Sequence, residues 1–541
     1  MPFDPNIGVT LYGPIILDGG VNAVDDPIQL QNECPVLVNM EWKAGLLQPR
    51  NCYTPVVQSG TGSTPIFSST TGWQGLHQAV FDDGSVYLIM HSVDSMRKFD
   101  GSSSSDIGFS TRGTGSVLRP WSGVMGIGTA TDPPTRYYCC DGEAELFSLT
   151  AAGTLSAVST YATFSGGLAN LSGRYLAGYA GRIFMGYTRE STTYYPQRIR
   201  WCADSDGSDW RDAEVTGAGA ADLADSPGYI NGMFVAGPNL YVFKSDAILV
   251  GAETGLVTAP VSFPARIDKR NFGGGAVQAV SPDTLIFLAS DGAYRLSGGT
   301  VERISDKIAP LMNFNRNGRD GRMFPYAERY ISSWLEPEEN MYCVVLPGYY
   351  GGYGYNSEST TLQYLSRVGF SLDLKSGKWY MREFPYDISS AVTSRRGEAA
   401  DKRVTIPMIA QGPYVTAMRR WGKDVGGTGD LTGVAAPYVV ETPDIRLNPD
   451  GYATCYLLVV YFDTDSATGR TWKAQVSTDR GTTWVSATKT ISTDAKNQVW
   501  RQRIEKTGIW FRFRLQNNAN TDLPIAIRSL EVRYANRQPL L

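Results

Sequence analysis

Apolar and polar residues alternate along most of this chain in short runs, and many runs end at a glycine or an Asp-Gly pair. Helical periodicity, with apolar residues three and four apart, is nearly absent. The pattern predicts strands folded into hairpins, because a tight two-residue turn needs positive φ and Asp-Gly adopts it readily. One unit reads GLHQAVFDDGSVYLIMHSVDSMRKFDG, turning at Asp83 and Gly84, and a second reads RYYCCDGEAELFSLTAAGTLSAV, turning at Asp141 and Gly142. YLAGYAGRIFMGYT and GYINGMFVAGPNLYVFKSDAILVG follow, separated by YYPQRIRWCADSDGSDW. A fifth, AVQAVSPDTLIFLASDGAYRLSGGTVERI, turns at Asp291 and Gly292. The sixth, RYISSWLEPEENMYCVVLPG, closes with RVGFSLDLKSGKWYMREF after a tyrosine-rich excursion, and a seventh, poorer unit spans about Ile388 to Met418. Repeated four-stranded units of this kind predict an all-β chain built on a β-propeller of six to seven blades over residues 61–433.

From about Pro443 the texture changes. CYLLVVYFD, TWKAQVSTD, TTWVSATKTI, VWRQRIEKTGIWFRFRLQN and IAIRSLEVRYAN alternate as strands of one C-terminal antiparallel β-sandwich, residues 434–541. The Gly-rich link Trp421 to Gly433 marks the boundary. Residues 1–60 hold turns and short strands but no unit of their own, so they read as an extended N-terminal arm packing on the propeller or on a neighbour.

Composition narrows the function. With 49 basic and 53 acidic residues, a net charge of −4 carries no polyelectrolyte signature, which disfavours a general nucleic-acid coat. Low charge, 58 glycines and 30 tyrosines argue against disorder or a coiled coil, and place glycines at hairpin turns and in the link. The opening MPFDPNIGVTLYGPIILDGG lacks a basic start, and Gly13 and Pro14 break its apolar run, so no secretory signal is expected. No run approaches the roughly 20 apolar residues of a membrane-spanning helix. Seven scattered cysteines without a CxxC pair read as small buried hydrophobes. Alternation would send the adjacent Cys139 and Cys140 to opposite faces of one strand.

Catalytic machinery is thin. No GxSxG elbow, HExxH helix or phosphate-binding loop is present, and no cofactor is implied. The only histidines, His77 and His91, fall in the first hairpin unit and read as partly buried strand residues. Asp204, Asp206 and Asp209 surround Gly207 and could offer oxygen ligands to a cation, although the spacing departs from an EF-hand and Asp-Gly also simply builds turns. Ser477 to Trp484 matches the Asp-box pattern SxDxGxTW, a hairpin turn familiar in sialidases; the copy is single and lies in the terminal sandwich. Asp25-Asp26, Asp82-Asp83 and Glu338-Glu339 sit in turn-like contexts, and a glycosidase pair is diagnosed only by separation in space. Tyr349, Tyr350, Tyr353 and Tyr355, in a Gly- and Tyr-rich loop, form a candidate interaction surface.

Several segments, in order, resemble one family: the propeller-containing tail nozzle, tail tube B or tail-stabilisation proteins of short-tailed bacteriophages. The opening is similar through Gly19, Gly20, Val21, Asn22, Asp26, Pro27, Asn39, Gly45, Leu46, Arg50 and Tyr53. RIRWCADSDGSDW, LYVFKSDAILVGAETG, LIFLASDGAYRLSGGTVERISDKI, GFSLDLKSGKWYMREFP and the ending GIWFRFRLQNNANTDLPIAIRSLEVRYANR continue the likeness over roughly residues 18 to 536. The resemblance implies a structural virion component, assembled in the host cytoplasm. It would form a homohexameric ring below the portal and adaptor, line part of the DNA ejection channel without sequence-specific binding, and carry no enzymatic activity. The alternative is a propeller glycosidase or a host-glycan-binding tail protein, suggested by the Asp box and the aromatic loops.

Overall fold

The computed structural model describes residues 9–50, 52–55, 73–92, 95–101, 103–107, 120–129, 134–158, 170–204, 206–212, 216–312, 331–346, 366–394, 406–411, 414–419, 437–463, 470–491, 498–518 and 525–537. Five antiparallel four-stranded sheets follow one another. They begin with Gly75–Val80, Ser122–Gly126, Leu171–Tyr179, Ile230–Ala236 and Gln278–Ser281, and end with Ser104–Asp106, Leu155–Ala157, Gly219–Asp222, Val261–Ile267 and Thr300–Arg303. The segment YYPQRIRW, expected to separate two units, is instead part of the strand Thr193–Trp201 in the third blade.

Two further blades share one long strand, Trp379–Ser394. Its first half pairs with Ser366–Asp373, completing a sixth blade with Ser332–Glu336 and Met341–Val345. Its second half pairs with Ile406–Gln411, which pairs with Tyr414–Arg419. The fourth strand of this seventh blade comes from the arm, Cys52–Pro55. The ring closes where Leu76 N–H donates to Ser390 Oγ at 3.0 Å, first blade to seventh. Opposite ends of the chain therefore interlock in one blade, and the propeller has seven.

The first strands of neighbouring blades touch one another, and their glycines make room. A Cβ on Gly126 would lie 2.5 Å from Ile183 Cγ1 of the next blade, and one on Gly232 would lie 2.2 Å from Gly274 N. The turn glycines are where the pattern put them, at Gly84 (φ 81°) and Gly142 (φ 89°). High glycine content thus has a second cause, bare backbone between blades. Cys139 packs in the seam between the first and second blades and Cys140 in the next seam, as alternation requires.

The terminal sandwich borrows from the arm in both sheets. One sheet runs Met40–Lys43, Leu46–Pro49, Ala526–Arg537, Tyr452–Asp463, Gln498–Gly508, with Thr10–Ile15 also against Ala526–Arg537. The other runs Leu37–Val38, Val439–Glu441, Arg512–Asn517, Arg470–Ser477, Val485–Ile491. Leu37–Val38 also pairs with Trp379–Ser394, making that sheet continuous with the sixth blade. Leu458, Val460, Leu530 and Val532 of the first sheet share one core with Trp472, Phe513 and Leu515 of the second. The expected arm is thus woven into both units, and the expected link at Trp421 to Gly433 lies outside the described residues.

A buried charge cluster fastens the weave. Arg382, 1% exposed, places Nη2 2.6 Å from Glu41 Oε1 in the arm and Nη1 2.5 Å from Glu336 Oε1 in the sixth blade. Its Nε also donates to Ser371 Oγ at 3.0 Å. Lys43 Nζ lies 2.9 Å from Glu41 Oε2, and the Tyr53 hydroxyl donates to Glu336 Oε1 at 2.6 Å. Burial opposes ionisation of Glu336, yet the Arg382 guanidinium overrides it and holds the carboxyl at about 2. A depressed carboxyl stabilises the fold in full above its ordinary value of 4.5 and loses that contribution as pH falls toward 2. Removing one partner of such a pair costs about 3–5 kcal/mol, because the remaining charges stay buried without compensation. Arg382→Met is therefore expected to release the arm: limited proteolysis in mild denaturant should cleave within residues 9–50 before the remaining blades.

Candidate functional site

The Asp204 to Trp210 loop leaves the third blade after Trp201 and satisfies its carboxylates locally. Asp206 Oδ1 accepts from Ser208 N and Oγ at 2.8 and 2.6 Å. Asp209 is buried and receives Arg211 through both oxygens, at 2.9 and 2.6 Å. Burial raises the Asp209 carboxyl, but the Arg211 hydrogen bonds prevail and hold it below its ordinary value. Asp204 is exposed and lies 3.6 Å from Arg182 Nη2. Among the described residues no three His, Cys, Asp or Glu side chains are grouped to hold a metal. What the loop builds is a clasp: Trp210, fully buried, donates Nε1–H to Gly207 O at 3.0 Å.

The Asp box makes the same clasp in the terminal sandwich. Trp484 Nε1–H donates to Gly481 O at 3.0 Å, Thr483 N to Asp479 Oδ1 at 2.8 Å, and Gly481 N to Ser477 Oγ at 2.7 Å. The Thr483 hydrogen bonds hold the Asp479 carboxyl at about 2. From this turn Arg480 reaches back to Asp26 of the arm and to Asp444, 3.3 Å away. Arg512 adds a second guanidinium on Asp444 at 2.8 Å. The motif that suggested a glycosidase thus ties the arm to the sandwich.

The arm residues that carry the family likeness prove to be joints. Gly20 (φ 78°) lies so close to the sixth blade that a Cβ would meet Trp379 O at 2.8 Å. Asn22 donates to Asp25 and Glu33 at 2.8 and 2.7 Å. Asn39 donates to Pro437 O at 2.7 Å and accepts from Arg50 Nε at 2.7 Å and Glu383 N at 2.8 Å, joining arm, sandwich approach and sixth blade.

The other acidic pairs are likewise engaged in turns and ion pairs. Asp83 accepts from Ser85 N, Asp82 from Thr135 N, and Glu339 lies 3.3 Å from Lys43. Glu41 and Glu336, the buried carboxylates nearest a paired arrangement, share Arg382. Tyr349, Tyr350, Tyr353 and Tyr355 lie outside the described residues.

Sequence reading missed the arm's outer surface. Val9, Leu11, Tyr12, Ile16, Val24 and Ile28 are all exposed large hydrophobics, crowded into one stretch. Among the described residues Thr10–Ile15 pairs on one edge only, and it carries no charge. An uncharged free edge is a template for another strand. Beside it lies a cavity of about 400 Å³, lined by Tyr12, Ile28, Leu30, Asp444, Arg446 and Trp510 among others. The legible signal was the uncharged run TLYGPI.

No protein-family model matches the chain, and a search of curated proteins finds no match. Among solved structures, similar chains include the Pan2 WD40 domain of Neurospora crassa, at 8% identity and a TM-score of 0.34, covering 65% of this chain and 97% of that one. BBS1N in complex with ARL6DN shares 7% identity at a TM-score of 0.37, covering 70% and 97%. An exo-β-1,3-galactanase from Phanerochaete chrysosporium shares 10% at 0.26, covering 90% and 100%. At these identities the likeness concerns fold alone. No helix among the described residues is long and apolar enough to cross a membrane.

Because Asp209 is already neutralised by Arg211, millimolar Ca²⁺ or its chelation should leave the melting temperature unchanged. A Ca²⁺-dependent rise in differential scanning fluorimetry, abolished by Asp206→Asn, would restore the cation reading.

Proposed function

We propose that this chain is a structural component of a short phage tail, a ring-forming nozzle or tail-tube subunit below the portal and adaptor. Its ring would form part of the channel through which DNA leaves. The observation that carries the reading is the coincidence of the family-like arm residues with joints: Gly20, Asp26, Asn39, Arg50 and Tyr53 lock the arm to propeller and sandwich. A subunit that transmits load through a ring needs such locking, and the same arm leaves an apolar face outward for a neighbour. Specific stable interfaces bury about 800 Å² on each partner, and the uncharged edge with its apolar rim supplies the centre of one. No catalytic step belongs to this reading.

The test is assembly. Mass photometry and electron microscopy of the protein with portal and adaptor should show closed rings, commonly of six copies. Leu11→Asp with Tyr12→Asp, both at exposed positions, should leave the circular dichroism unchanged and abolish ring formation. A wild-type chain that stays monomeric with every virion partner, or that hydrolyses capsular polysaccharide or sialosides, would overturn the proposal in favour of the glycan-active alternative.

A further inference from the structure

Outside the arm, Leu256 and Val257 are the one adjacent pair of exposed large hydrophobics among the described residues, and Leu256, 61% exposed, is the most exposed of them. They cap the hairpin that joins Ile248–Glu253 to Val261–Ile267 in the fourth blade. First strands line the inside of the propeller, so this hairpin, between third and fourth strands, stands at its outer rim. The tip is held rigid. Thr254 N–H donates to Pro260 O at 3.2 Å, Leu256 N–H to Thr254 Oγ1 at 3.0 Å, and the Thr254 hydroxyl to Ala259 O. Arg182, buried in the third blade, donates from Nη2 to Val257 O at 3.0 Å and from Nη1 to Cys202 O and Gly217 O at 3.1 and 2.7 Å. Gly217 (φ 68°) permits this contact, since a Cβ there would lie 2.8 Å from Val257 O.

We propose that the Leu256–Val257 tip of one copy seats in the cavity beside the arm of the next copy, as the repeated contact of the ring. The inference rests on the assembly reading above and names its mating surfaces. A ring of identical subunits needs two different, complementary patches on each subunit. The chain presents both, well apart. The third and fourth blades, which hold the tip, are separated from the sixth and seventh, which hold the arm, by the fifth blade on one side and by the first two on the other. The cavity, about 400 Å³, offers Tyr12, Ile28, Leu30 and Trp510 to apolar side chains. In its wall the Asp444 carboxylate is already held by Arg512 and Arg480, at 2.8 and 3.3 Å. Charge matches as well. Arg446, exposed at the cavity, sits 5.7 Å from the Trp510 ring centre, and Glu253, exposed, flanks the tip. A tip already ordered by Arg182 and Thr254 loses little conformational freedom on seating, which favours a stable contact.

Disulfide cross-linking of rings built with portal and adaptor tests the contact. Leu256→Cys with Ile28→Cys should yield, on oxidation, a ladder of covalent oligomers that ends at the ring's copy number. The wild type and either single variant should yield none, because the native cysteines among the described residues are buried. Glu253→Arg should raise the protein concentration needed for rings by about tenfold or more, since like charges then face each other, and adding Arg446→Glu should bring it back. Both positions are exposed, so the circular dichroism should not change. Rings that form without the ladder in the double cysteine variant, or a covalent dimer from Ile28→Cys alone, would overturn the tip-in-cavity contact and leave the assembly reading standing. A wild-type chain that forms no ring would overturn both.

Discussion

A guanidinium enclosed in protein must be matched on the spot, and Arg382 is matched by carboxylates from two distant parts of the chain. Glu41 arrives on the arm's hairpin and Glu336 on the first strand of the sixth blade. Neither can be missing without leaving charge stranded in a medium that cannot solvate it. Formation of the sixth blade and docking of the arm are thereby coupled. The coupling extends to Tyr53, which hydrogen-bonds Glu336 and sits on the strand that completes the seventh blade. Ring closure and arm docking are one event. A hydrophobic substitute could match the stability of such a cluster, but it would tolerate slippage of the hairpin, whereas the fork of Arg382 accepts one register.

What the sequence disclosed follows from how local each signal is. Asp83-Gly84, Asp141-Gly142 and Asp291-Gly292 report their own backbone angles, so the first, second and fifth blades could be read as hairpin units directly. The turn at Asp83-Gly84 even implies the pairing of Gly75 with His91 and His77 with Ile89. Both histidines therefore had to share a face. Their partners, Trp121 and Tyr137, lie on another blade, and no strand-level pattern specifies which faces of two sheets meet. The arm was illegible for the same reason. Its strands contain two to six residues, and apart from the local pairing of Met40–Lys43 with Leu46–Pro49 their partners lie hundreds of residues away. Thr193–Trp201 is inconspicuous in the sequence because its Tyr, Gln and Arg residues form a strand whose exposed face is polar.

The candidate site illustrates how a motif can be sound as local geometry and misleading as chemistry. Asp479 and Asp206 each cap a turn, and Trp484 and Trp210 each close one by donating to a glycine carbonyl three residues back. The conformation is what the Asp-Gly spacing encodes. Whether carboxylates remain available for a ligand depends on neighbours, and here Arg211 takes Asp209 while Thr483 and Ser477 take Asp479. Arg480, left-handed at φ 60°, is aimed outward by that strained angle and spends its charge on Asp26 and Asp444.

Locking and exposure are complementary on the arm. Facing inward, Leu17, Val21, Leu37, Val38 and Met40 enter the shared core and Asn39, Glu41 and Arg50 make the polar joints; those facing outward include Leu11, Tyr12, Ile16, Val24 and Ile28, without a charge along Thr10–Ile15. Isolated proteins protect edge strands with lysines, prolines, bulges or covering loops; Thr10–Ile15 has Pro14 and a register break between Tyr12 and Ile15, which interrupt its edge, but no charge. Flexible segments can hide apolar side chains by rearranging, but an arm held through Gly20, Asn39 and Arg382 has no such freedom. Its apolar face stays presented in one geometry, which lowers the ordering entropy that an incoming neighbour must overcome. Rigid attachment on one side is thus what makes the opposite side usable as a contact.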